Sequence, residues 1–178
     1  SRYGQALRQR IDQRPAIVDE RSRIGDWEGD TIIGASQKQA LVTWVERRSG
    51  FLLMAKVERK TSAAVCQAST RLLNPFRQHV HTLTTDNGTE FAQHSTLSKT
   101  LGAESYFADP YASWQRGTNE NTNGLIRQYF PKNKSFDTIT DYEIQFVMNR
   151  LNHRPRKRLN YRTPYEVFMN ESGFALRS

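Results

Sequence analysis

The order of its apolar periodicities is the feature that most constrains what this 178-residue chain can fold into. Three β-rich runs come first, and Arg47-Arg48-Ser49-Gly50 between the second and third predicts an antiparallel hairpin. Helical spacing then alternates with two short buried strands, and helices close the chain. The predicted strands are residues 27–34, 40–46, 51–57, 80–84 and 104–107. The predicted helices are residues 61–73, 89–101 and 114–130, the segment with Ile144, Val147, Met148 and Leu151, and one that begins at Pro164.

This order favours a single α/β domain. A hairpin followed by β-α-β crossovers predicts a mixed five-stranded sheet with helices on both faces, and the ribonuclease-H-like architecture is the leading candidate. The length suits one domain, with a core and C-terminal helices at residues 25–170. Residues 1–24 are rich in Arg and Gln with little apolar periodicity, which predicts a basic arm or linker outside the core. Residues 171–178 form a short tail.

The charge of the chain favours a polyanionic partner. The formal net charge is +8 and the isoelectric point is near 9.9. Such a balance indicates nucleic acid, because counterion release makes phosphate contacts favourable without any reading of base sequence. The longest apolar runs are too short to span a bilayer, and the polar N-terminus is unlike a signal peptide. The single cysteine, Cys66, excludes an internal disulfide and fits a reducing cytoplasm.

Three carboxylates stand out, although each has an ordinary structural explanation. Asp30 lies in a strand, and its rivals Asp26 and Glu28 share the same side of an ideal strand. Asp86 closes a buried strand in the sequence Asp-Asn-Gly, which commonly forms turns. Glu120 lies in a helical stretch rich in Gly and Asn, which is either a solvated polar face or a site that sacrifices helical stability.

Two local sequences also predict helix starts. Asn87 and Glu90 have the spacing of a capping box, which assigns Glu90 to the start of the helix at residues 89–101. Thr163-Pro164-Tyr165-Glu166 has the same form, with proline at the first helical position. Both assignments are local, since they need only residues three positions apart.

Together the three carboxylates predict a specific chemistry. Two metal ions about 3.5–4 Å apart, held by carboxylates, activate an attacking oxygen and stabilise a leaving oxygen in phosphoryl transfer. Hard oxygen ligands suit Mg²⁺ or Mn²⁺, which keep several waters and bind the substrate phosphate. Water or a DNA 3′-hydroxyl can then be the nucleophile, so no side chain has to supply one.

Several motifs stand in the order and spacing of a known family. They are Trp27-Glu28-Gly29-Asp30-Thr31, Thr84-Thr85-Asp86-Asn87-Gly88-Thr89-Glu90-Phe91, Asn119-Glu120, Arg127, Asn152-His153-Arg154-Pro155-Arg156-Lys157 and residues 161–168. Through them the chain resembles the Asp-Asp-Glu transposases with a retroviral-integrase-like core, in particular the insertion sequence thirty family. The resemblance covers residues 14–168, and the 33 residues between Asp86 and Glu120 are typical of that family.

The resemblance implies a reaction and its residues. Asp30, Asp86 and Glu120 would be catalytic and hold two Mg²⁺ ions, for which Mn²⁺ substitutes. The implied reaction is 3′-end cleavage of transposon ends and strand transfer into target DNA, by a homo-oligomer in the bacterial cytoplasm. An N-terminal helix-turn-helix region, which such transposases use to read element ends, is expected to be absent from this chain. The predicted DNA contacts are Arg127, Asn123, Asn87, Gln115, Arg116, Lys132, Arg154, Arg156, Lys157 and Arg158.

Two other functions are compatible with these residues. A ribonuclease-H-like nuclease or junction resolvase needs the same carboxylates but releases hydrolysed ends without joining them. A non-catalytic DNA-binding module would use the acids only as capping and turn residues, and it predicts no binding of divalent ions.

Overall fold

Five strands form one mixed sheet in the computed structural model, which describes residues 8–110 and 112–174. The strands are β1 (Asp26–Ile33), β2 (Ala40–Glu46), β3 (Leu52–Val57), β4 (Thr82–Thr85) and β5 (Glu104–Phe107). Their order across the sheet is β3-β2-β1-β4-β5. The hairpin strands β1, β2 and β3 are antiparallel, whereas β4 lies parallel to β1 and to β5. The predicted mixed five-stranded sheet is confirmed.

The described residues form six α-helices, several of which begin at the predicted signals. The helices are α1 (Ala16–Glu20), α2 (Ser62–Leu73), α3 (His94–Leu101), α4 (Gly117–Arg127), α5 (Asp141–Asn152) and α6 (Pro164–Ser172). Threonine hydroxyls at Thr61, Thr140 and Thr163 accept backbone N–H groups in the first turns of α2, α5 and α6. None of the described helices combines the length and the apolar character that crossing a membrane requires.

The pleat of the sheet separates two apolar layers. On one face Trp27 and Trp44 pack with side chains from α2, α3 and α6. On the other face Ile32 packs with side chains from α4 and α5. Since neighbours along a strand point to opposite faces, Glu28 and Asp30 lie on the same face as Ile32. The strand therefore aims two carboxylates at the layer that contains α4.

The predicted helix at residues 89–101 begins later than its sequence indicated. A 3₁₀ turn at Thr89–Phe91 comes first, without a side-chain cap, and α3 follows it. The expected capping box of Asn87 and Glu90 is wrong, because the Glu90 carboxylate instead accepts a hydrogen bond from the hydroxyl of Thr31 on β1. A long-range partner has replaced the local one.

Two other predicted bounds also shift. Residues 114–130 divide into a 3₁₀ turn at Ser113–Arg116 and α4, in keeping with the weak helix propensity of their Gly and Asn residues. The strand predicted at residues 80–84 is β4, which starts two residues later.

The basic segment before β1 packs against the domain. Val18 on α1 is fully buried, and Nη1 of Arg14 donates to the hydroxyl of Thr84 on β4 at 3.0 Å. Arg10 forms an isolated parallel bridge with Phe107 at the end of β5. Arg14, Val18 and Ile24 of this segment are therefore buried, contrary to the expectation of an arm outside the core, whereas most of its other residues are exposed or half-buried. Residues 1–7 of the predicted arm and residues 175–178 of the tail lie outside the described residues.

Glu46, at the end of β2, makes the stability of the fold depend on pH. Its carboxylate is fully buried and accepts the backbone N–H of Arg48 at 2.8 and 2.9 Å. Burial raises the pKa of Glu46 from 4.5 to about 8, although this hydrogen bond and that from Ser49 oppose the shift. The folded protein therefore holds this proton more tightly than the unfolded chain does.

We expect Glu46 to contribute stability that is complete below pH 4.5 and is lost as the pH rises towards about 8. Glu46→Gln, which imitates the protonated acid, should flatten the decline of the unfolding free energy between pH 5 and pH 9. Urea unfolding across that range measures the slope. The exposed Glu20→Gln is the matched control, and equal slopes for the two variants would contradict the assignment.

Candidate active site

Asp30 lies on β1, on the face that α4 covers. Its Oδ1 accepts the backbone N–H of Thr31 at 2.8 Å, and its Oδ2 accepts the side-chain amide of Asn123 at 2.9 Å. The guanidinium of Arg116 stands 3.6 Å from Oδ2. Burial raises the pKa of Asp30 and the charge of Asp86 raises it further, whereas Arg116 and the two hydrogen bonds lower it. Donors from β1 and α4 thus fix the orientation of this carboxylate.

Asp86 directly follows β4, the strand parallel to β1. Glu28 pairs with Thr84 in the register of the two strands, so two further residues along each bring Asp86 beside Asp30. The Oδ1 of Asp86 accepts the N–H of Gly88 at 2.8 Å, so the Asp-Asn-Gly sequence does form a turn. The two explanations of Asp86 are therefore compatible, because the turn itself holds the carboxylate at the edge of the sheet near Asp30.

Glu120 lies on the exposed surface of α4. It precedes by one helical turn Asn123, which donates to Asp30, so Glu120 and Asn123 are neighbours on the helix surface. Within residues 8–110 and 112–174, no three His, Cys, Asp or Glu side chains come together as a metal-binding group. The structure thus brings Asp30 and Asp86 together and does not join Glu120 to them. The three-carboxylate site remains a prediction.

Glu90 is a fourth carboxylate near this pair. Its Oε1 accepts the hydroxyl of Thr31 at 3.2 Å and lies 3.5 Å from Nζ of Lys60. A methyl group added at Gly88 would stand 2.6 Å from Oε2 of Glu90 and 2.8 Å from Oδ1 of Asp86, so both carboxylates approach this glycine. The sequence prediction missed this position because the capping-box spacing offered a sufficient local explanation.

Glu28, considered above only as a rival of Asp30, holds α4 against β1. Its Oε2 accepts the backbone N–H of Asn119 in the first turn of α4 at 2.8 Å, and its Oε1 pairs with Nη1 of Arg47 at 2.7 Å. Nδ2 of Asn119 donates to the carbonyl oxygen of Gly29 at 3.0 Å. The register of the Glu120 helix on the sheet therefore depends on a buried ion pair.

Arg127 anchors the other end of α4. Its Nη2 donates to the carbonyl oxygen of Ile33 at 3.0 Å, and its Nη1 donates to that of Phe130 at 3.4 Å. Burial lowers the pKa of the guanidinium. Within the described part of the chain no carboxylate pairs with Arg127, so its charge is not neutralised.

Three other predicted DNA contacts, Gln115, Asn87 and Lys132, differ in the hydrogen bonds that they already make within the protein. The side-chain amide of Gln115 makes two hydrogen bonds to Asp109. Its Oε1 accepts the backbone N–H of Asp109 at 2.8 Å, and its Nε2 donates to Oδ2 of Asp109 at 3.2 Å. Asn87 accepts hydrogen bonds from Arg8 through its backbone and side-chain oxygens. Lys132 is exposed just beyond α4. Lys132 is thus the most accessible of these three.

The basic segment after α5 does not adjoin Asp30. Four predicted contacts line a separate cleft against α4, namely Arg154, Arg156, Lys157 and Arg158. Arg21, from the segment expected to be an arm, lines the same cleft. The predicted DNA contacts therefore divide into one group at the carboxylates and one group across α4.

The donors around Asp30 fit a hard divalent cation. Asp30 and Asp86 offer carboxylate oxygens, which Mg²⁺ and Mn²⁺ prefer. Burial is the main cause that raises the pKa of Asp30, and the charge of Asp86 adds to it, so a cation between the two carboxylates would relieve their repulsion. The absence of a side chain at Gly88 leaves room for the carboxylates that approach it.

The chain is similar to transposases over nearly all of its length. It is 44% identical to the transposase for insertion sequence element IS4351 of Bacteroides fragilis over 171 residues, which are 94% of this chain and 52% of that protein. It is 41% identical to transposase InsI for insertion sequence element IS30A of Escherichia coli (strain K12), with 93% of this chain and 43% of that protein covered. The chain thus spans about half the length of these relatives.

The fold is that of a retroviral integrase core. The crystal structure of the catalytic core domain of BIV integrase superposes with a TM-score of 0.62, covering 84% of this chain and 97% of the other at 23% identity. This likeness confirms the predicted ribonuclease-H-like architecture. The family model described as integrase core domain matches residues 20–113, which include Asp30 and Asp86. The chain therefore belongs to the integrase core domain family.

Proposed function

We propose that this chain is the catalytic domain of a DNA transposase, with residues 25–170 as its core. The observation that carries the proposal is the proximity of Asp30, within β1, to Asp86, directly after the parallel strand β4, beside the helix that presents Glu120. The similarity to transposases for insertion sequences supports the same reaction. We place its action in the bacterial cytoplasm as a homo-oligomer on DNA. End recognition by an N-terminal helix-turn-helix region outside this chain stays a prediction.

An integrase core implies dependence on divalent metal ions. We propose two Mg²⁺ ions, which Asp30, Asp86 and Glu120 would hold. When bound, such ions polarise phosphoryl oxygens and lower the pKa of bound water. Glu120 would need to turn toward Asp30, and its place one turn before Asn123 supports that approach.

The residues around the carboxylates would orient the site. Asn123 and Arg116 stabilise negative charge on Asp30 from the α4 side, so they bias it to the ionised form that binds cations. The unneutralised guanidinium of Arg127 would attract the phosphate next to the scissile bond. Asn87, directly after Asp86, and the exposed Lys132 are proposed backbone contacts.

The proposed reaction has two displacements at phosphorus. In the first, water attacks the phosphodiester at the element end, the bond to the 3′ oxygen breaks, and a free 3′-hydroxyl remains. In the second, that hydroxyl attacks a phosphodiester of target DNA, so that one P–O bond forms as another breaks. Both steps need in-line positioning more than a protein nucleophile.

Labelled element ends, target DNA and Mg²⁺ test the proposal. We expect metal-dependent 3′-end cleavage and joined products from the wild-type chain. Asp86→Asn should lower both by at least about 100-fold. Residues that only orient metal ligands cost up to about 100-fold when they are replaced, and the loss of a ligand itself should cost at least as much. Cleaved ends without joining would indicate a nuclease or resolvase. Full strand transfer by Asp86→Asn would refute the assignment. If titration calorimetry with Mn²⁺ detects no binding, the chain is a non-catalytic DNA-binding module.

A further inference from the structure

A cleft of about 540 Å³ lies between α4 and the basic segment after α5. Its cationic lining residues are Arg21, Arg154, Arg156, Lys157 and Arg158, and the described residues that line it include no carboxylate. Thr118 and Asn121 form its α4 wall. Asn119 and Asn123, which contact β1, lie about 150° away around the helix axis. The cleft is therefore on the side of α4 away from Asp30.

The positive charge of the cleft is not neutralised. Side chains of Arg156 and Arg158 are held by backbone carbonyl oxygens at 2.8 and 3.2 Å, and none of the five cations pairs with an acid among the described residues. Burial lowers the pKa of both guanidiniums, and neighbouring cations, Arg154 for Arg156 and Arg21 for Arg158, lower it further. An anion in the cleft would relieve this mutual repulsion.

The nearest acids cannot serve as that anion. The carboxylates whose charge reaches Arg21 are those of Glu28 and Glu46. Both are fully buried. Glu28 accepts the N–H of Asn119, and Glu46 accepts that of Arg48, so each is committed elsewhere. The attraction of the cleft is therefore directed to a ligand from outside.

Thr118 supplies an independent indication of a ligand. Its side chain is 7% exposed, and its buried hydroxyl has no hydrogen-bond partner in the described protein. Buried polar groups are normally paired, so such a group calls for a partner. Thr118 also lies in the first turn of the 11-residue helix α4, where the N-cap residue Arg116 makes no side-chain cap and Glu28 accepts the N–H of Asn119. A helix N-terminus favours an anion with acceptor oxygens.

We propose that this cleft binds an internucleotide phosphate of a DNA backbone, with the Thr118 hydroxyl donating to a phosphate oxygen and Arg21, Arg156 and Arg158 surrounding its charge. The inference rests on the proposed function only in taking DNA as the polyanion. The helix that presents Glu120 is then held between two DNA contacts, one at Asp30 and one in this cleft.

Fluorescence anisotropy of a labelled DNA duplex measures the affinity of the chain for DNA. In EDTA, which removes divalent ions, it does so without cleavage or joining of the DNA. Thr118→Val should weaken binding about tenfold, the effect of one hydrogen bond to a charged group. Lys157→Gln should weaken binding to all sequences and reduce the slope of log K against log salt by about 1. Thr96→Val and Lys99→Gln, exposed on α3, are matched controls and should stay within about twofold of wild type in the same assay.

Thermal unfolding keeps the outcome interpretable. Thr118→Val should melt at or above the wild-type midpoint, because it removes an unpaired buried hydroxyl. If it does not fold, Arg21→Gln takes its place with the same expected loss of affinity. Folded cleft variants that bind DNA as tightly as their controls would overturn the inference. Failure of the proposed function gives a different pattern: the wild-type chain binds DNA but forms no products when Mg²⁺ is added.

Discussion

Asp30→Asn is expected to lower strand transfer by at least about 100-fold while leaving the fold as stable as the wild type. Activity falls because a neutral amide is a poor ligand for Mg²⁺ compared with a carboxylate. Stability is retained because the buried hydrogen bonds can be rebuilt. Oδ1 of Asn123 is buried and unpaired, so rotation of that amide lets it accept from the new side-chain amide. The substitution also removes the repulsion from Asp86, which opposes the loss of the 3.6 Å ion pair between Asp30 and Arg116.

Strand-transfer assays with Mg²⁺ and calorimetry in EDTA measure the two effects on the same preparation. Asp12→Asn, an exposed position outside the site, is the matched control and should change neither. An unfolding midpoint well below the wild type would contradict the proposed rearrangement at Asn123. Retained strand transfer would contradict the role of Asp30 itself.

Glu28→Ala is expected to destabilise the protein by about 3–5 kcal/mol, the usual cost of removing one partner of a buried ion pair. Arg47 is 5% exposed and its guanidinium would lose its carboxylate, while the N–H of Asn119 would lose its acceptor. The midpoint should fall by about 2–4 °C for each kcal/mol lost. Loss of this anchor also frees the first turn of α4, so strand transfer should fall even where the variant remains folded.

The double variant Glu28→Ala with Arg47→Met separates a lost ion pair from lost packing. Removing the unpaired charge should recover part of the stability, and the coupling between the two positions should lie at about 0.5–3 kcal/mol. Urea unfolding of the single and double variants gives this value. Strictly additive losses would show that Glu28 and Arg47 stabilise the domain independently.

The features that were predicted correctly depend on short-range patterns. The β-rich runs of β1 and β2, the hairpin through Gly50 and the Thr163 cap all involve residue types or hydrogen bonds within a few residues. The order of these elements was enough to predict a mixed sheet, because few arrangements accommodate a hairpin followed by crossovers. Spacing and family resemblance then singled out Asp30 and Asp86, which lie near each other, while their catalytic role stays a prediction.

The predictions that were wrong concern residues whose contacts are distant in the chain. Glu90 was assigned to a cap three residues from Asn87, but its carboxylate accepts from Thr31, 59 positions earlier. The arm was placed outside the core because its pattern is polar, yet Arg14 reaches Thr84 on β4. In each case the side chain contacts a residue far away in the chain, and a pattern of neighbouring residues cannot predict such a contact.

The sequence by itself determined the five strands, most of the helices and the basic charge, and it singled out Asp30 and Asp86 as candidate carboxylates. Only the tertiary structure decided what each acid on β1 does: Asp30 turns to Asp86 and Asn123, while Glu28, two residues earlier on the same face, holds α4. The alternation of side chains along a strand predicts the same face for both acids and so does not distinguish them. Their difference arises from what packs over each of them, which is set by contacts between residues about 90 positions apart.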